Sequence, residues 1–90
     1  MEKIIITVVG KDQTGIIAKV TTYLSENNIN ILEISQNIVS GYFYMIVIAD
    51  PEKCEKSADV LGDEMKKLGN EMGLVINVQR EGIFTAMHRI

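Results

Sequence analysis

Residues 4–20 read IIITVVGKDQTGIIAKV, and the change of pattern inside this stretch decides the fold. Ile4, Ile5, Ile6, Thr7, Val8 and Val9 form a β-branched run too short for a helix and apolar on both alternating faces, which predicts a central strand bounded by Gly10. From Thr14 to about Asn27 the period changes: Ile17, Val20 and Leu24 recur at helical spacing with Ile16 and Tyr23 beside them, while Lys19, Ser25 and Glu26 lie elsewhere on the helix. Asn27-Asn28 ends that helix. Between the two patterns lies the loop Gly10-Lys11-Asp12-Gln13-Thr14-Gly15.

Working outward, Asn30 to Val39 alternates, with Leu32, Ile34 and Ile38 on one side and Glu33, Ser35 and Asn37 on the other. This predicts a strand at a sheet edge with one buried and one polar face. Ser40-Gly41 is a tight-turn signal before the apolar strand Tyr42 to Ala49, so the pair reads as a hairpin. Asp50-Pro51 predicts the start of a second helix, the aspartate capping it and proline at its first position. Cys54, Ala58, Leu61, Met65, Leu68 and Met72 then form an apolar stripe, opposite a charged face that includes Lys56, Asp59 and Lys66. Gly62 and Gly69 weaken this helix and mark close packing; Gly73 suits a left-handed stop. Leu74 to Gln79 is the last strand.

The order β-α-β-β-α-β predicts a ferredoxin-like α+β fold, a four-stranded antiparallel sheet with two helices on one face. Ile5, Val9 and apolar positions of the third strand then fall on the open face, which we expect another subunit to cover in part. Ninety residues form a single domain, 1–90, with a core of about 3–80 and a tail of 81–90. Ile83, Phe84, Met87 and Ile90 make that tail apolar enough to join this cover or pack on its own domain.

A 47% hydrophobic and 23% charged composition excludes disorder as the main state. The net charge of −3 offers no field for a phosphate backbone, so direct nucleic-acid binding is not expected, although Tyr42-Phe43-Tyr44 places aromatics where RNA-binding sheets stack bases. No apolar run approaches the length that spans a bilayer, and Met1-Glu2-Lys3 leads straight into a strand, so no membrane partner and a cytoplasmic location are expected. Cys54 is the only cysteine, which excludes an internal disulfide and a thiolate metal cluster. His88 is the sole histidine, near the C-terminus and without a neighbour to activate it; no catalytic residue, metal or cofactor is expected. The loop also lacks the Gly-Lys-Ser/Thr ending of a P-loop and the three-glycine dinucleotide fingerprint.

Gly10-x-Asp12-x-x-Gly15-Ile16, followed by a helix and by Asn30-Ile31 opening the second strand, resembles the ACT domain, a module through which amino-acid pathway proteins sense amino acids. The ending Ile83-Phe84-x-Ala86-Met87-His88-Arg89-Ile90 is similar to small stand-alone ACT proteins related to the ACT portion of the glycine-cleavage-system transcriptional repressor. One departure is Thr14, where many ACT domains carry proline; Thr14 can instead serve as a helix cap. The resemblance implies a non-enzymatic regulator that binds an amino acid or similar metabolite where two subunits of a homodimer meet, and signals to a separate, regulated protein. It implies a ligand site of Gly10, Asp12, Thr14, Gly15, Ile16, Asn30 and Ile31. In that site the helix start receives a carboxylate, Gly15 keeps side chains clear, and Asp12 and Asn30 serve the ammonium group. The same residues also have a purely structural reading, with glycines for the turn, Asp12 as a cap and Asn30 fixing the start of the strand. An alternative function is a docking module that uses its open sheet face and tail without a small ligand.

Overall fold

The computed structural model describes residues 2–83. Its elements are β1 (Ile4–Lys11), α1 (Ile16–Glu26), β2 (Asn30–Val39), β3 (Tyr42–Asp50), α2 (Ala58–Met72) and β4 (Val75–Arg80). The strands form one antiparallel sheet in the order β2-β3-β1-β4, so β1 and β3 are central and β2 is an edge. This is the ferredoxin-like arrangement the element order predicts.

Pairing register explains the core. Ile4, Ile6 and Val8 of β1 share a face with Ala49, Val47 and Met45 of β3, and with Ile76 of β4. Val20 and Leu24 of α1 and Leu61 and Met65 of α2 close over that face, and all of these side chains are buried. At about 25 cal/mol per Å² of apolar surface, this single layer is the main source of stability. The β2–β3 hairpin turns at Ser40 and Gly41, whose φ values of 51° and 80° give the reversal that suits twisted strands.

The second helix begins later than Asp50-Pro51 suggests. Asp50 belongs to β3, opposite Asn30, and its carboxylate accepts from the Glu52 amide at 3.0 Å. The Cys54 amide donates to the Pro51 carbonyl at 2.9 Å, closing a turn rather than a helix. β4 lies two strands from β3, so residues 51–57 carry the chain off the sheet before α2 can start above it. Ser57 is the cap, its hydroxyl accepting from the Val60 amide at 3.3 Å. The two helices are tied by Glu64, which accepts from the Tyr23 hydroxyl at 2.7 Å and from Lys56 Nζ at 2.8 Å.

Gly69 is buried, and a Cβ there would lie 2.8 Å from the Leu74 carbonyl oxygen and 2.9 Å from Ile76 Cγ1, so close packing does require glycine. Gly62 differs from expectation: a Cβ there would meet only Val78 Cβ at 4.0 Å.

β2 departs from the expected buried face. Ile34 and Ile38 point to the helix side, opposite Val47 and Phe43, yet they are 46% and 56% exposed. A register shift between Ile31 and Glu33 takes Leu32 out of the alternation, and it too is exposed. The buried cluster draws on β1, β3, β4 and both helices but takes only the half-buried Ile31 from β2, so Ile34 and Ile38 lie beyond its margin. On the opposite face, Val9, Tyr42 and Tyr44 are exposed as expected, whereas Ile5 is buried. Of the tail, only Glu81, Gly82 and Ile83 fall within the described residues; Phe84, Met87, His88 and Ile90 lie outside them.

Candidate functional site

The loop between β1 and α1 is fastened at both ends. Gly10 is the last but one residue of β1, paired with Phe43, where a Cβ would lie 2.5 Å from Leu74 Cδ2. The Asp12 amide donates to the Gly41 carbonyl at 2.9 Å, joining the loop to the hairpin tip. Gln13 Nε2 donates to the Met72 carbonyl at 2.8 Å, joining it to the end of α2.

Gly15 is the N-cap of α1, with φ 92° and ψ 2°, a backbone that an L side chain adopts only with strain. No side chain caps this helix, and its first turn carries no acidic residue. Thr14 therefore does not take the capping role its position suggests, because the left-handed residue that follows moves the helix start past its reach. The first amide of the helical ladder is that of Lys19, donating to the Gly15 carbonyl at 3.0 Å. The amides of Ile16, Ile17 and Ala18 precede that ladder and carry the partial positive charge of the helix start. α2 contrasts with it, having both the Ser57 cap and Asp59 in its first turn.

This bare helix start opens on a groove of about 290 Å³, lined by Asp12, Gln13, Gly15, Ile17, Gln36, Ile38 and Phe43, among others. Its floor is the buried Phe43 and Ile16, and its outer wall is the exposed inner side of β2. Gln13, Gln36 and Ile38 are absent from the sequence-based site. Their signal lay in the hairpin register, which puts Gln36 and Ile38 on the α1 side of the sheet beside Phe43.

Asn30 and Ile31 are elsewhere. Asn30 opposes Asp50 at the far end of the hairpin from Tyr42, roughly 26 Å along the strand from the Asp12 loop at about 3.3 Å per residue. They line a separate shallow pocket of about 380 Å³ with Thr21, Ser25, Asn28 and Lys53. Within one chain, then, Gly10, Asp12, Thr14, Gly15 and Ile16 gather around one loop and Asn30 and Ile31 do not join them. Among the described residues no group of three or more His, Cys, Asp or Glu is placed to hold a metal, and no helix is long and apolar enough to cross a membrane.

The perturbed titrating groups lie away from this loop. Burial, then the bond to Glu64, pushes the Tyr23 hydroxyl far above the usual tyrosine range. The Lys56 ammonium, then the Tyr23 hydroxyl, holds the Glu64 carboxyl below the usual glutamate value. Both act as a strut between helices.

A βαββαβ sheet with both helices on one face is the ferredoxin-like class, which by itself hosts many functions. The ACT domain family model matches residues 2–79, and the chain belongs to the ACT domain family. A UPF0237 protein of Bifidobacterium longum is 51% identical over 90 residues, spanning the full length of both chains. The solved ACT domain protein of Streptococcus pneumoniae is 36% identical and superposes with a TM-score of 0.82, over 92% of this chain and 93% of that one. A structure assigned as a glycine cleavage system transcriptional repressor matches in fold, with a TM-score of 0.74 and 20% identity over 88% of this chain and 45% of that one.

Proposed function

We propose that this chain is a non-enzymatic regulatory protein that binds an amino acid or similar small zwitterion at a seam between two copies of itself and passes the bound state to a partner protein. The observation that carries this reading is the uncapped start of α1, free of acidic side chains, opening beside an edge strand that carries only one charge, Glu33. Unpaired edges of this length and apolarity invite a further strand.

Antiparallel pairing of β2 with its copy about Ile34–Ser35 sets Asn30 of the partner subunit beside Val39, next to the Gly41 carbonyl that holds Asp12. The two halves of the sequence-based site then meet across the seam. Ligand carboxylate on the helix amides, ammonium between Asp12 and the partner's Asn30, and side chain on Ile38 and Phe43 would favour the paired state by differential affinity.

The test is calorimetric titration of the full chain with the twenty amino acids, with Asp12→Ala and Asn30→Ala alongside. At least one amino acid binds, and each variant weakens it by about tenfold or more, the worth of one charge-assisted hydrogen bond. Absence of binding by every amino acid, or full affinity in both variants, overturns the reading. The docking-module alternative draws on Val9, Tyr42, Tyr44 and Val75, four exposed apolar side chains on the open sheet face. It predicts no ligand response, with partner capture lost in Tyr44→Ser.

A further inference from the structure

At the end of the domain opposite the Asp12 loop, a cavity of about 370 Å³ lies between the sheet and the first turn of α2. Its floor is apolar, formed by the buried Ile4, Leu61 and Pro51. Its rim carries Glu2, Lys56 and Arg80. Arg80 pairs with Ile4 across the sheet, which turns its side chain to the helix-bearing face and over this floor.

The three rim charges are not equivalent. Lys56 is spent on Glu64 at 2.8 Å. Glu2 accepts one hydrogen bond, through Oε2 from the Gly82 amide at 2.9 Å, which leaves Oε1 free among the described residues. No ion pair joins Glu2 to Arg80, and among the described residues the Arg80 guanidinium has no hydrogen-bond or ion-pair partner. One carboxylate and one guanidinium thus face the same apolar floor without neutralising each other.

We infer that this cavity is a second small-molecule site, one that takes a compact zwitterion with an apolar side arm. The guanidinium holds the ligand carboxylate, Glu2 holds the ammonium group, and the side arm lies on Ile4 and Leu61. The volume is at the lower end of the range for small-molecule sites, and a mostly apolar wall with a few convergent polar groups is the usual makeup of such sites. A guanidinium fits a carboxylate through two parallel donors, so charge and geometry both select. The inference is independent of the seam, since it uses no residue of the β1–α1 loop.

The experiment uses the full-length ¹⁵N-labelled chain and three probes: L-leucine, 4-methylpentanoate, which lacks the ammonium group, and 3-methylbutylamine, which lacks the carboxylate. Leucine moves the amide resonances of Ile4, Ala58, Leu61 and Arg80 saturably, and each single-charge probe binds about tenfold weaker or worse. Arg80→Gln abolishes the preference of leucine over the amine, and Glu2→Gln the preference over the acid. Ala58→Phe fills the mouth and removes all three responses, while Asp12→Ala leaves them intact. The inference is overturned if leucine moves none of these resonances, if the three probes bind equally, or if the shifts map to residues 12–18 and vanish in Asp12→Ala. In that last outcome the seam reading stands while this one falls.

Discussion

Two glycines of the same helix, seven residues apart, should respond oppositely to the same substitution. Alanine in place of glycine within a helix favours folding by up to about 1 kcal/mol. At Gly62 the added methyl meets only Val78 Cβ at 4.0 Å, ordinary contact, so Gly62→Ala gains about 0.5–1 kcal/mol. At Gly69 the methyl would sit 2.8 Å from the Leu74 carbonyl oxygen and 2.9 and 3.2 Å from Ile76 Cγ1 and Cδ1. The isoleucine can turn; the carbonyl is backbone leading into β4 and cannot yield without moving the strand. Overpacking against backbone falls in the upper part of a range of about 1–3 kcal/mol, and after the propensity gain of up to about 1 kcal/mol it leaves a net loss of about 1–2 kcal/mol. For a domain of this size that is a fall in Tm of roughly 4–16 °C. Urea unfolding of wild type and both variants at one fixed protein concentration reads the difference, the fixed concentration removing mass-action effects of assembly. If Gly69→Ala is as stable as wild type, the close approach of α2 to β4 is wrong.

Replacing Ile34 and Ile38 together by lysine sets two charges on the exposed inner side of β2; sedimentation should show the chain shifting to monomer with its circular dichroism unchanged. Gly15→Ala should cost about 1 kcal/mol although nothing lies within 4 Å of the new methyl, because the price is the left-handed backbone, and Gly15→Asn should cost less. The folded state holds the Tyr23 proton more tightly than the unfolded chain, so stability should fall as pH rises above the ordinary tyrosine value of 10.0, and Tyr23→Phe should flatten that limb in alkaline urea titrations. Glu64, held below its ordinary 4.5, supports the fold above that pH and loses its contribution as pH falls; Glu64→Gln should remove that part of the acid-side slope.

The order and pairing of elements were legible because the β-branched run at Ile4–Val9, the helical spacing of Ile17, Val20 and Leu24, and the Ser40-Gly41 turn are local signals. What was not legible depends on reach between elements. Asp50-Pro51 has the chemistry of a helix start, but the distance from β3 to β4 displaces that start to Ser57. Ile34 and Ile38 alternate like core residues, yet the buried cluster stops at Ile31 of β2, a margin set by packing between elements. Gly62 and Gly69 are indistinguishable in sequence, and the strand beneath one of them makes the difference. For the candidate site, Asp12 to Ile16 are contiguous and were found together. Gln36 and Ile38 reach the same groove only through hairpin register, and Asn30, at the other end of the hairpin, does not reach it within one chain.

The Asp12 and Gln13 attachments give the β1–α1 loop the character of a two-armed lever. One arm ends on the hairpin tip through Gly41, the other on the last turn of α2 through Met72, places that the chain itself separates by some thirty residues. A displacement of the loop would therefore pull at once on two stretches far apart in sequence, so a protein resting on either could register the same event without touching the groove.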